Sequence, residues 1–199
     1  MPTILIINPN SSKKVSINLE KILILPAGTE LYFYTAPSDA PKEIDGTESL
    51  IQSEQVVLPD LLDKHLHEKY DGYLVSCYSD HSLIHSLAKK TTKPVKLLVL
   101  TSISGWNATL DEAIVPFCGT GKFCSEKFQR TRALDFLVLI LAGEDEFSKI
   151  LDGKIDCALL GCAGMAGLDE KLLELYSGVV FVDSVKAGVE FLLALIRRS

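Results

Sequence analysis

The feature that most constrains this chain is its alternation of strand-length apolar runs with stretches whose apolar residues recur at helical spacing. Strands are expected at Ile4–Ile7, Glu30–Thr35, Tyr73–Ser76, Val95–Leu100, Phe136–Leu141, Ala158–Leu160 and Val179–Val182. Helices are expected between them, over 12–22, 49–69, 82–90, 106–115, 146–151, 169–176 and 185–197. Such alternation builds parallel sheets flanked by helices. Pro37–Gly46, rich in Pro, Asp and Gly, reads as a loop, as does the Gly-rich stretch Cys118–Gly121.

At 199 residues the chain suffices for one ordinary domain or two small lobes sharing an interface. A hydrophobic fraction of 47% against 23% charged residues is the balance of a folded globular protein. With 20 basic and 26 acidic residues the net charge is −6, and no Lys/Arg stripe is present to track a phosphate backbone. Nucleic acid is therefore not expected as a partner. The opening Met1-Pro-Thr-Ile-Leu-Ile-Ile7 lacks a basic region and reads as a buried strand rather than a secretion signal. The longest apolar stretch, Leu134–Ala142, is interrupted by Asp135 and falls far short of the ~20 residues of a bilayer span. A cytoplasmic protein that does not enter membranes is the expectation, with its five cysteines reduced.

Two segments echo one another. Asp71-Gly-Tyr-Leu-Val-Ser-Cys77 and Asp156-Cys-Ala-Leu-Leu-Gly-Cys162 both run Asp, apolar strand, small residue, cysteine. Each cysteine then falls at the carboxyl end of a parallel strand, where open α/β sheets place their ligand sites. Two pseudo-symmetric lobes, each offering one thiol, are the implied arrangement. The first would comprise residues 1–95 plus 184–199, the second 96–183.

A lone cysteine is most simply a small apolar core residue, and Cys157, inside its strand, is read so. Cys118 and Cys124 flank a loop and receive no role. Cys77 and Cys162 differ, because each is followed by residues that can turn into a helix, Tyr78-Ser-Asp80 and Ala163-Gly-Met-Ala-Gly167. Backbone N–H groups there favour a thiolate, the form needed to abstract a proton. Two thiols facing each other across a carbon acid can invert a stereocentre without a cofactor. One removes the proton and the other returns one to the opposite face, and the pair titrates as a couple.

Other motifs carry less. Gly119-Thr-Gly-Lys122 fails the phosphate-loop pattern, because Pro116 stands where the first Gly belongs and Phe123 follows the Lys. His65 and His67 read as a solvated helical face. Cys77, His81 and His85 have the spacing of a partial metal site but lack a fourth ligand, so no metal is expected. His81 either tunes Cys77 or caps a helix. The turn Asn8-Pro-Asn-Ser-Ser12 either holds a carboxylate or imide oxygen or simply caps the helix after it.

With these residues laid out, the chain resembles the aspartate/glutamate/hydantoin racemase superfamily, and within it the hydantoin racemase branch with its fungal members linked to allantoin breakdown. The matching stretches are Leu5–Ser12, Ile44–Thr47, Val57–Leu61, Tyr70–His81 and Leu160–Gly167, with weaker similarity through Val182–Gly188. The resemblance implies two α/β lobes with parallel sheets, an active site between them, and proton exchange by Cys77 and Cys162 with no metal or other cofactor. It also implies substrate binding by Asn10 and Ser11, a polar pair at Thr101 and Ser102, and backbone around Ala163 and Gly164 that polarises a substrate oxygen. Tyr78 and Ser79, directly after the first thiol, complete the candidate substrate-binding set.

The chain departs from the family in its middle. Lys93-Pro-Val95 runs straight into Lys96-Leu-Leu-Val-Leu-Thr-Ser102, so that two strands are fused and a helix is lost, and 142–153 is short for the helix expected there. Such losses would expose a sheet edge. The expected activity is racemisation of a small molecule of hydantoin type, allantoin or a 5-substituted hydantoin. An amino-acid racemase of the same superfamily and a non-catalytic ligand-binding descendant are the alternatives, and a homo-oligomer remains open.

Overall fold

The computed structural model describes residues 1–24, 27–77, 81–93, 95–97, 112, 115, 157–161, 165–176 and 178–198. The fold is mixed α/β with parallel strands flanked by helices. A four-stranded sheet has the order β2-β1-β3-β4, formed by β1 (Thr3–Asn8), β2 (Glu30–Thr35), β3 (Gly72–Val75) and β4 (Val95–Leu97). All three pairings are parallel. Strands β5 (Cys157–Leu160) and β6 (Val180–Asp183) form a second, two-stranded parallel sheet.

β1 shows why this sheet has two covered faces. Its four consecutive residues Ile4, Leu5, Ile6 and Ile7 are all at most 2% exposed, as an apolar run without alternation predicts for a central parallel strand. Because side chains alternate across a strand, Leu5 and Ile7 enter one core and Ile4 and Ile6 another. The first core is closed by α2 (Thr47–Asp63) and α3 (Ser82–Ala88), through Val57, Leu61, Leu83 and Leu87. The second is closed by α1 (Lys13–Ile22) and the C-terminal α5 (Ser184–Ile196), through Leu19, Val185, Val189, Leu192 and Leu193. Gly72 opens β3 where a Cβ would stand 2.9 Å from Ile196 Cδ1 and 3.1 Å from Leu192, so the absent side chain lets α5 lie close.

The expected helix over 49–69 is broken. α2 stops at Asp63, and a 3₁₀ turn follows at Leu66–Glu68 after His65, whose φ of 51° is left-handed. The break changes the reading of the two histidines as one solvated face. The His65 side chain is 74% exposed but that of His67 only 12%, with Nδ1 enclosed. The strand expected over 95–100 is described at Val95–Leu97, and its remainder lies outside the described residues. So do the loop at 118–121, the strand at 136–141, the helix at 146–151 and, apart from Glu112 and Val115, the helix at 106–115. Among the described residues, no helix is long and apolar enough to cross a membrane.

The end of the second sheet is joined to α5 and to the segment around Gly167 by one carboxylate. Asp183 caps α5, Oδ1 accepting from the Val185 and Lys186 amides at 2.9 and 3.1 Å, while Oδ2 accepts the Gly167 amide at 2.6 Å. The Ser184 hydroxyl donates to the Leu160 carbonyl at 2.6 Å, and Asn18 of α1 donates to the Ala166 carbonyl at 3.2 Å. The segment between Met165 and Gly167 is thus pinned between α1 and α5. It is followed by α4 (Asp169–Leu175), which packs Leu172 with Leu160, Met165 and Phe181.

Gly167 has φ 84°, and a Cβ there would lie 2.7 Å from Ile22 Cγ2, on a β-branched side chain with little freedom to move. Gly167→Ala is therefore expected to destabilise the protein by about 1–3 kcal/mol, from backbone strain and overpacking together. Urea unfolding measures this, and a loss below about 0.5 kcal/mol, the scale of an ordinary surface change, would contradict the packing described.

Candidate active site

Parallel pairing of β1 with β3 sets Ile4 beside Gly72 and Ile7 beside Val75. The Ser76 amide then donates to the Ile7 carbonyl at 2.8 Å, extending the register one residue past the strands. The loops leaving the carboxyl ends of these neighbouring strands are Pro9–Ser12 and the segment that begins with Cys77. Cys77 is half-buried and packs against the core beneath α2 and α3. The candidates Asn10, Ser11 and Cys77 are thus carried by adjacent strand ends.

The echo's leading Asp has a structural task. Asp71 Oδ2 accepts from the Thr3 amide and the Thr3 hydroxyl, both at 3.0 Å, which clamps the start of β3 to the start of β1 and fixes the register that reaches Cys77. Its partner in the echo, Asp156, lies outside the described residues.

The Asn8–Ser12 turn is built from its own side chains. Asn8, buried at 1% exposure, donates from Nδ2 to the Ser12 carbonyl at 3.0 Å and to Ser16 Oγ at 3.1 Å, while its Oδ1 accepts the Asn10 amide at 3.3 Å. Asn10 Oδ1 accepts the Ser12 amide at 3.0 Å. The reading of this turn as a helix cap is not met in its usual form, since the Ser12 side chain makes no capping bond to α1. Ser12's amide and carbonyl are instead held by the two asparagines. The Ser11 amide donates to the Pro41 carbonyl at 2.8 Å, and its hydroxyl donates to the Ala40 and Pro41 carbonyls at 2.9 and 3.2 Å. The Ser11 oxygen therefore keeps acceptor capacity and, among the described residues, Asn10 keeps its Nδ2 donors: an acceptor for an imide N–H, and donors for a carbonyl or carboxylate oxygen.

His81 is fully buried and is the N-cap of α3, its Nδ1 accepting the Leu83 amide at 3.2 Å. Nε2 must then carry the proton, and it lies 3.2 Å from Ser53 Oγ. Ser53 Oγ donates in turn to the Pro9 carbonyl at 2.6 Å. The capping reading of His81 is thus met. No cluster of three potential metal ligands occurs among the described residues, Cys77, His81 and His85 included. Nearby, Glu54 accepts from Ser86. Burial alone would raise the Glu54 carboxyl, but hydrogen bonds from the serine hydroxyls of α3 outweigh it and hold the carboxyl below its ordinary value.

Sequence reading missed Ser53, and it named Asn8 only as one member of the turn. Ser53 had a signal: on α2 the buried positions are Leu50, Ser53, Val57 and Leu61, so a hydroxyl occupies a core position in the apolar stripe. Of the remaining candidates, Cys162, Ala163, Gly164, Tyr78, Ser79, Thr101 and Ser102 lie outside the described residues.

An α/β protein with a thiol at the carboxyl end of a central parallel strand, beside a polar turn, is the class these features define. Residues 4–115 match the Asp/Glu/Hydantoin racemase family model, and the chain belongs to that family. The chain is 27% identical to Protein DCG1 of Saccharomyces cerevisiae over 234 residues, covering 98% of this chain and 96% of the yeast protein. An uncharacterised protein of Schizosaccharomyces pombe is also 27% identical, over 99% of this chain and 93% of its own length. The yeast alignment is longer than this chain's 199 residues, so the relative carries segments without a counterpart here. Among solved structures, allantoin racemase from Klebsiella pneumoniae superposes with a TM-score of 0.75 at 19% identity, covering 99% of this chain and 88% of that one. Allantoin racemase from Pseudomonas fluorescens gives 0.75 at 21% identity, over 98% and 91%. The fold is theirs.

The Asp71 clamp yields a pH prediction. Hydrogen bonds from Thr3 outweigh desolvation and, with nearby Lys93, hold the Asp71 carboxyl below its ordinary value of 3.8. A depressed folded-state pKa gives stability that is present above the unfolded value and lost as pH falls through the folded one. The stability difference between wild type and Asp71→Asn should therefore be largest above about pH 4 and shrink below it, as measured by urea unfolding across that range. A difference independent of pH would contradict the clamp's charge dependence.

Proposed function

We propose that the protein is a cofactor-independent racemase of hydantoin-type rings, allantoin or a 5-substituted hydantoin, working by two-base proton transfer between Cys77 and Cys162. The observation that carries the proposal is the thiol of Cys77 at the end of β3, beside the Asn10–Ser11 turn at the end of β1, in a member of the Asp/Glu/hydantoin racemase family. The fold shared with two allantoin racemases and the cysteine echo support the substrate class and the second thiol.

The ring carbon to be inverted bears a hydrogen next to a carbonyl, so its C–H electrons can move onto the carbonyl oxygen as the proton leaves. One cysteine, as thiolate, takes that proton. The resulting enolate collapses back to the carbonyl as it takes a proton on its opposite face from the other cysteine's S–H. The thiolate and thiol have exchanged places, and the reverse enantiomer is processed by the same pair with roles swapped. Asn10 Nδ2 and the Ser11 oxygen would hold the ring's carbonyl and N–H edge. Backbone at Ala163 and Gly164 would bear on the developing oxyanion, while Tyr78, Ser79, Thr101 and Ser102 would complete the pocket between two lobes.

Single enantiomers of allantoin, a 5-substituted hydantoin and aspartate, incubated with the protein in D2O, should separate the readings. Loss of optical rotation with uptake of one deuterium at the ring carbon is expected for the hydantoin-type substrates. Activity on aspartate alone would assign the protein to amino-acid racemisation, and no exchange with any of them from folded protein would sink the enzymatic reading. Cys77→Ser and Cys162→Ser should each lower racemisation by about 10³-fold or more, on the scale of losing a group that acts as one unit with its partner. Normal racemisation by either variant would rule out two-base transfer.

A further inference from the structure

We propose that the buried pair Ser53 and His81 is the positioning device that holds the Pro9–Ser11 turn in register with the Cys77 thiol. This rests on the reading of Cys77 and Asn10 as parts of one site.

Three elements meet at this pair. His81 caps α3, four residues after Cys77 in sequence; Ser53 belongs to α2; Pro9 belongs to the turn that follows β1. The hydrogen bonds run in one direction. The Leu83 amide donates to Nδ1, Nε2–H donates to Ser53 Oγ, and the Ser53 hydroxyl donates to the Pro9 carbonyl. Both Ser53 and His81 are fully buried, so water does not compete for these bonds and each polar group would be costly to leave unpaired. The tautomer is set at one end by the amide of Leu83, so the ring cannot reverse its polarity without giving up the cap of α3.

The strand register and the Ser76–Ile7 bond fix the two loops only at their roots. One side of the turn is held by Ser11 on the Ala40 and Pro41 carbonyls. The other is held at Pro9 by Ser53, and this is the side that refers back, through His81, to the segment carrying the thiol. Ser53 and His81 touch neither substrate nor reacting atoms in this account. Loss of the link should leave Asn10 able to bind the ring while letting the ring drift from the sulfur.

Deuterium uptake kinetics and backbone amide exchange together test this. Ser53→Ala is expected to lower kcat about ten-fold or more with KM within about two-fold, since small misplacements cost rate rather than affinity. The Asn10 and Ser11 amides should exchange faster in the variant than in wild type. His81→Asn keeps a side-chain acceptor for the Leu83 amide but is too short to reach Ser53, so it should reproduce both effects, and it serves if Ser53→Ala does not fold. The double variant should lose no more rate than the worse single one, because the two act as one unit. A kcat within about two-fold of wild type in folded Ser53→Ala, or unchanged exchange at Asn10 and Ser11, would overturn the proposal. If wild type takes up no deuterium from any substrate, the racemase reading falls, and amide exchange alone decides whether Ser53 and His81 fix the turn.

Discussion

The pairing of β1 with β3 is the constraint on which the rest depends. Parallel neighbours deliver their carboxyl ends to the same edge of the sheet, so two segments some seventy residues apart in sequence present a polar turn and a thiol side by side. The register is secured at its start by Asp71 on Thr3 and at its end by the Ser76 amide on the Ile7 carbonyl. A slip of one residue would send the side chains of β3 to opposite faces, taking Tyr73 and Val75 out of one core and Leu74 out of the other.

Hydrophobic burial supplies the platform, and buried polar groups supply the precision. Asn8, Ser16, Ser53, His81 and Asp183 are nearly inaccessible, and each spends its hydrogen bonds on backbone or side chains that shape a loop. Asn8 shapes the turn after β1, Ser53 and His81 tie that turn to α3, and Asp183 joins α5 to Gly167, downstream of the second echo. Asn8 and Asp183 end strands, and Ser16 and Ser53, the latter backed by His81, reach from helices to strand-end groups, where backbone N–H and C=O lack ladder partners and must be satisfied otherwise.

Much of this was legible in the sequence. The unbroken apolar run of β1 announced a buried strand, and the positions of Asn10, Ser11 and Cys77 at strand ends followed from pattern alone. What escaped was set by single residues or by tertiary contact. His65 in the left-handed region ends α2 where periodicity runs on, and it turns His67 inward. Ser12 looked like a helix cap, but the neighbouring asparagine side chains took its backbone groups, an outcome local preference does not resolve. That His81 caps α3 and also reaches across to α2 needed the positions of Leu83 and Ser53, which lie on two different helices.

In the proposed mechanism two thiols, one from each echo, face a single small molecule. Differential alkylation tests it without requiring turnover. Iodoacetamide labelling of the five cysteines, followed by mass spectrometry with and without saturating allantoin, should show Cys77 and Cys162 protected together and over the same concentration range, with the other three unchanged. Protection of only one of the two, or of neither while allantoin demonstrably binds, would contradict the account.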